Sequence, residues 1–267
     1  MKNNLVTTLT KNRNLIIQLT KRDILSKYKG SLLGIIWSIL NPLFMLVIYT
    51  LVFGEIFQSK WGRSGTESTF VFGLILFTGM IVYNIFSEVL SRSTSIIQSN
   101  VNYVKKIIFP LEILSPILVL TALFNGLISL VILIIMSVCL GIHLSWSILL
   151  IPVVLLPLIL LSTGLGWFLA AVSVFFKDAN YIVTILLQVA LFLSPVFYSV
   201  EIVPDYLRFI YNYNPLGILI EQMREIILWG ELPNWNEWLS VTLVSLVILV
   251  AGYYFFRRLK GAFADVI

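Results

Sequence analysis

The sequence predicts an all-α integral membrane protein with six transmembrane helices, an N-terminal amphipathic interface helix, and re-entrant outer helices between spans five and six. Three observations carry this. First, 59% of the 267 residues are hydrophobic and 12% are charged, against about 45–50% and about 25% in soluble domains. Second, runs of about 20 mainly apolar residues, the length that crosses a bilayer, recur six times. Third, Lys and Arg collect on alternate connections. With a mean hydropathy of +0.97 and 18 Phe, 11 Tyr and 7 Trp, a water-facing fold would expose apolar patches far beyond a few hundred Å². A soluble enzyme is therefore excluded.

Residues 1–30 form the first unit. Leu5, Leu9, Ile16 and Ile24 recur at gaps of 4, 7 and 8, with Lys11, Arg13, Lys21 and Arg22 elsewhere on the wheel. This is the pattern of a helix lying in the headgroup plane. Seven basic residues and no continuous apolar stretch precede Leu32, so no cleavable signal peptide is expected. Residues 31–267 form the permease unit, with spans predicted at 32–53, 70–90, 111–140, 148–176, 181–198 and 238–256. The third and fourth exceed what a bilayer needs, which suggests tilt or kinks, with Pro116, Pro152 and Pro157 as candidate kink points. Between the fifth and sixth spans, the apolar stretch 215–228 is interrupted by Glu221, Arg224 and Glu225. Too short and too charged to cross, it is expected to dip into the outer side and return.

With the N-terminus inside, the inner segments hold 14 of the 18 Lys and Arg residues. The outer segments hold Lys60, Arg63, Arg208 and Arg224 and most of the acids. Both termini are thus expected in the cytoplasm, as six spans require. The net charge of +5 follows topology and implies no nucleic acid partner.

A search for chemistry yields little. One cysteine, Cys139, and one histidine, His143, give no disulfide framework or metal centre. The motifs H-E-x-x-H, G-x-S-x-G and G-x-x-x-x-G-K-[ST] do not occur, so this chain binds no ATP through a P-loop. Polar residues within spans are few: Asn84, Glu88, Ser91 and Ser95 from the second span, Asn125 in the third, and Tyr181, Thr184, Gln188, Pro195 and Tyr198 spaced along one face of the fifth. Either a water-lined path or interhelical hydrogen bonding accounts for them. The fifth-span stripe is the stronger pore candidate.

Residues 22–43, RDILSKYKGSLLGIIWSILNPL, resemble the first-span signature of ABC-type polysaccharide exporter permeases. The matching positions are Arg22, Asp23, Tyr28, Lys29, Ser31, Leu33, Gly34, Trp37, Pro42 and Leu43. The likeness continues at 103–116, YVKKIIFPLEILSP, where Leu111 stands in place of a frequent Arg. It recurs at 174–178, VFFKD, with Lys177 for the usual Arg, at 194–198, at 213–215, and in the tail FFRRLKGAFADVI.

The resemblance implies a homodimer working with two cytoplasmic ATPase subunits, which would use ATP and Mg while this chain carries no cofactor and no catalytic residue. It also implies, as cargo, a polysaccharide of the O-antigen type linked to undecaprenyl diphosphate, exported across the bacterial inner membrane. Teichoic acid or capsule export is the alternative within the class. A secondary transporter or an integral glycosyltransferase lies outside it, and would display midplane charges or acidic motifs respectively. The expected headgroup residues are Arg22, Lys27, Tyr28 and Lys29, which offer charge-assisted hydrogen bonds. The expected channel lining is Trp37 and Phe44 with Tyr181, Gln188 and Tyr198. Coupling to the ATPase is expected through 100–109, with Tyr103, Lys105 and Lys106, and through Lys177 and Asp178.

Overall fold

Backbone groups in lipid have no water to bond, so an uninterrupted apolar run satisfies them internally as helix. The computed structural model describes residues 5–56, 61, 69–104 and 109–266, and among them no strand occurs. Five helices among the described residues are long and apolar enough to cross a bilayer: Gly34–Ile56, Thr69–Ser93, Leu111–Cys139, Trp146–Phe175 and Trp235–Val266. A further apolar helix, Ala179–Leu193, has 15 residues. At 1.5 Å per residue it is about 22 Å long, shorter than the ~30 Å hydrocarbon layer.

In chain order, α1 (Leu5–Lys11) and α2 (Arg13–Tyr28) come first. Ile16 is buried there, while Leu9 packs against the same cluster. Next, α3 (Trp37–Tyr49) is extended by a 3-10 turn before it and a π-helical turn, Thr50–Ile56, after it. The most enclosed element is α4 (Thr69–Ser93), with Ile75, Val82 and Val89 fully buried. It packs against α3, against α6 (Leu114–Cys139) and α7 (Ile151–Phe175), and against α8 (Ala179–Leu193). Between α4 and α6 lies the short α5 (Val101–Val104). Two of the expected kink points are not interior: Pro116 and Pro152 sit in the first turns of α6 and α7, where a missing N–H has no helical partner to lose. Pro157 and Pro42 are the helix-interior prolines.

The fifth apolar run ends earlier than its hydropathy suggests. Helix α8 stops at Leu193, and Ser194 is extended (φ −100°, ψ 147°), because the ring of Pro195 disfavours helical backbone in the residue before it. Pro195 and Tyr198 therefore do not share a helical face with Tyr181, Thr184 and Gln188.

Beyond that turn come α9 (Arg208–Asn212), α10 (Pro215–Arg224) with a π-helical turn to Trp229, α11 (Trp235–Leu259) and α12 (Phe263–Val266). Asn214 caps α10 by accepting from the Leu216 N–H at 3.1 Å, with Pro215 supplying a preset φ at the first position. Helices α7 and α11 approach closely at Gly164 and Gly252, where a Cβ on either would collide with the other's backbone. Small residues permit this contact between apolar helices. Two cores result. The main one joins α4, α6, α7 and α10 through Val82, Leu133, Leu158 and Met223. The other, at the α2 end, joins Ile16, Ile97, Trp167, Phe256 and Phe263.

Candidate functional site: two cavities that meet at Tyr28

Four helices each turn a polar pair or triplet at helical spacing toward a common hollow. These are Ser38 and Asn41 on α3, Asn84, Glu88 and Ser91 on α4, Asn125 and Ser129 on α6, and Thr184 and Gln188 on α8. Residues three and four apart lie on one helix face, so each helix contributes a polar stripe where its other faces are apolar. The cavity measures about 670 Å³, and Lys27, Tyr28 and Trp37 close its α2 end. Its lining carries one carboxylate, Glu88, and one cation, Lys27. The remaining polar groups are neutral amides and hydroxyls.

A bonded network fixes that end. Glu88 accepts from Asn125 Nδ2 at 2.9 and 3.2 Å, from Lys27 Nζ at 3.2 Å and from Arg92 Nη1 at 3.4 Å. Arg92 Nη2 donates to both oxygens of Asp23 at 2.7 and 2.8 Å, and the Thr121 hydroxyl donates to Asp23 at 2.8 Å. The Tyr28 hydroxyl donates to Asn125 Oδ1 at 3.4 Å. Helices α2, α4 and α6 are thereby tied by charge-assisted bonds, each acid facing a basic partner. Burial first, then the nearby Glu88 carboxylate, raise the Tyr28 phenol above its ordinary value, against a smaller lowering by Ser38. Tyr28 thus stays a neutral hydrogen-bond donor at physiological pH.

Tyr28 also borders a second cavity of about 840 Å³, formed by α2 and the start of the first long helix. Lys21, Arg22 and Lys29 line it with no acid among the lining residues. Arg22 Nη1 donates to the Tyr103 hydroxyl at 2.7 Å. One residue therefore joins a basic chamber to a polar, nearly neutral one.

Of the residues expected from sequence, Arg22, Tyr28 and Lys29 come together in the basic cavity, and Lys27, Tyr28, Trp37 and Gln188 in the polar one. Phe44 and Tyr181 are 54% and 72% exposed and border neither cavity. Tyr198 lies past α8, where its hydroxyl meets the Tyr211 hydroxyl at 2.6 Å and donates to the Phe192 carbonyl. Tyr103 stacks on Phe109 at 4.2 Å, while Lys105 and Lys106 lie outside the described residues. Lys177 and Asp178 are exposed at the turn between α7 and α8. Sequence reasoning missed Ser38, Asn41, Ser87 and Ser129. The i+4 spacing of Asn41 from Trp37 and of Ser129 from Asn125 was the available signal.

The chain is similar in sequence to known membrane proteins over most of its length. The chain is 28% identical over 263 residues to the O-antigen export system permease protein RfbA of Myxococcus xanthus, covering 98% of both chains. It is 25% identical over 256 residues to the protein of the same name from Klebsiella pneumoniae, covering 95% of both. It is 26% identical over 253 residues to the polysialic acid transport protein KpsM of Escherichia coli, covering 90% of this chain and 92% of that one. The sequence profile of the ABC-2 type transporter family matches residues 14–228. A multi-pass helical membrane protein with this match, over most of its length, belongs to the ABC-2 type transporter family.

Proposed function

We propose that this chain is the membrane subunit of an ATP-driven exporter that moves lipid-diphosphate-linked polysaccharide of the O-antigen type out of the cytoplasm. The observation that carries this is the pair of cavities meeting at Tyr28. A diphosphate needs cations, which Lys21, Arg22 and Lys29 offer. A glycan needs many weak neutral contacts, because one tight site would stall a moving chain. Amides and hydroxyls beside Trp37 and Tyr28 meet that need, the rings offering apolar faces to sugar rings.

In the cycle envisaged, Arg22 and Lys29 hold the headgroup while the leading sugars pass Tyr28 into the polar cavity. Two ATPase subunits binding ATP and Mg drive the movement through Tyr103, Lys105, Lys106, Lys177 and Asp178. The working unit is a homodimer, with Phe44 and Tyr181 facing the second copy's half of the conduit. We further infer that α8 completes six spans by thinning the bilayer locally, and that α9 and α10 form the re-entrant outer helices. Both termini lie in the cytoplasm and the protein sits in the bacterial inner membrane. Export of a capsular polysaccharide is the second reading, supported by the similarity to KpsM over 253 residues.

The test is deletion and complementation. Cells lacking this chain should accumulate lipid-linked glycan inside and lose it from the surface, and both should revert on re-expression with the ATPase partner. Normal surface glycan in the deletion strain would contradict the proposal.

A further inference from the structure

The C-terminal tail, 255–267, carries one of the sequence signatures and borders neither the basic nor the polar cavity. Its described residues fold against Leu111–Ile113, the 3-10 turn by which the chain returns from the 100–109 segment into α6. Lys260 Nζ donates to Glu112 Oε2 at 2.8 Å across 148 residues of sequence. Phe263 is fully buried in the same core as Leu111 and Ile113.

We propose that the tail is a brace for the coupling segment: Lys260, acting through Glu112, is a positioning residue that passes ATP-driven movement of 100–109 into α7 and α11 as one body. The inference rests on the reading of this chain as an ATP-driven exporter, and it adds the route by which force enters the bundle.

The base of the segment is held on both limbs. On the outgoing limb, Gln98 Nε2 donates to the Ser173 carbonyl in the last turns of α7 at 3.0 Å. On the returning limb, Trp167 Nε1 of α7 donates to the Glu112 carbonyl at 2.8 Å, while the Glu112 carboxylate takes Lys260 at the end of α11. The Tyr103 and Phe109 rings, stacked at 4.2 Å, close the two limbs on each other. A displacement of the segment therefore reaches α7 through two hydrogen bonds and α11 through the ion pair.

Those two helices respond together because they interlock. Beside the contact of Gly164 with Gly252, Trp167 meets Tyr253 at 5.2 Å and Phe168 meets Phe255 at 4.9 Å between ring centres. An interior packed in this way transmits strain instead of absorbing it.

The charges suit such a joint. Glu112 sits in the turn that starts α6 and Lys260 at the end of α11, so each complements its own helix dipole as well as its partner. Glu112 is buried. An enclosed carboxylate is unfavourable unless paired, and the folded-back tail brings a cation to it. Phe263, 5.4 Å from Phe256 and 6.1 Å from Phe175 between ring centres, holds the turn that presents Lys260.

The experiment uses the full chain with its ATPase partner. Surface glycan in complemented deletion cells is divided by the amount of complex recovered and by the ATP hydrolysis of that complex in lipid nanodiscs, so that loss of folded protein alone leaves the ratio in place. Lys260→Met and Glu112→Gln should each lower the ratio about fivefold. Lys260→Arg, which keeps the charge, should hold it within about twofold of wild type. A ratio unchanged in both neutralised variants would overturn the proposal, and so would a fall of the same size in Lys260→Arg. The wild-type chain separates the two failures. If it restores no surface glycan, the exporter reading beneath is lost; if it restores glycan while both neutralised variants keep its ratio, the brace alone is lost.

Discussion

The Arg22 guanidinium donates to the Tyr103 hydroxyl at 2.7 Å and lies 5.7 Å from the centre of the Tyr103 ring, across 81 residues of sequence. Arg22 also lines the basic cavity. The chamber proposed to receive the diphosphate and the segment proposed to meet the ATPase therefore share one side chain. Tyr103→Phe removes the hydroxyl and keeps the stack on Phe109. The ratio of diphosphate-stimulated to basal ATP hydrolysis by the assembled complex should fall about threefold, the worth of one net hydrogen bond. An unchanged ratio would place coupling elsewhere.

Arg224 anchors the far end. It is fully buried, with four acceptors from α4, α10 and the turn after α8. Arg224→Gln should cost about 3–5 kcal/mol, since it strands Glu221 and the carbonyls that the guanidinium bridges. Arg224→Lys should recover only part, because a point charge cannot reproduce a planar fork. Thermal unfolding in detergent, followed by tryptophan fluorescence, reads both.

The pair of Asp23 and Arg92 is more open, with side chains 23% and 33% exposed. A double-mutant cycle with Asp23→Asn and Arg92→Gln should therefore give a coupling on the order of 1 kcal/mol, smaller at high salt. A coupling near zero at low salt would mean that the α2 to α4 link is held by packing alone.

Water access separates a conduit from a packed interface. With Cys139 replaced by Ser, cysteines at 84 and 188 should react with a charged, water-soluble thiol reagent at least about tenfold faster than one at 247, an exposed apolar position on α11. Equal slow rates would mean that the polar cavity is dry.

Much of this architecture was legible in the sequence because hydropathy dictates where helices form in lipid. The polar positions Asn84, Glu88, Ser91 and Asn125 stood out within apolar runs, and all four line the polar cavity. What was illegible depends on tertiary proximity. Nothing local announces that Asp23 meets Arg92, 69 residues on, or that Arg22 meets Tyr103. The end of α8 was a different failure: Ser194 followed by Pro195 signalled a stop, and apolar residues on both sides masked it. Arg224 read only as a charge interrupting the apolar stretch 215–228, because the three carbonyls that satisfy it come from Ile75, Pro195 and Val196, distant in sequence.

The central claim is that glycan passes through the polar cavity beside Tyr28. A photoreactive amino acid placed at 84, 125 or 188, in the complex halted mid-export with a non-hydrolysable ATP analogue, tests it directly. Irradiation should attach polysaccharide to the chain at these three positions, visible as a high-mass ladder reactive with a glycan-specific antibody, and leave position 247 unlabelled. Ladders of equal strength at 247, or none at 84, 125 and 188 while export proceeds before the halt, would contradict it.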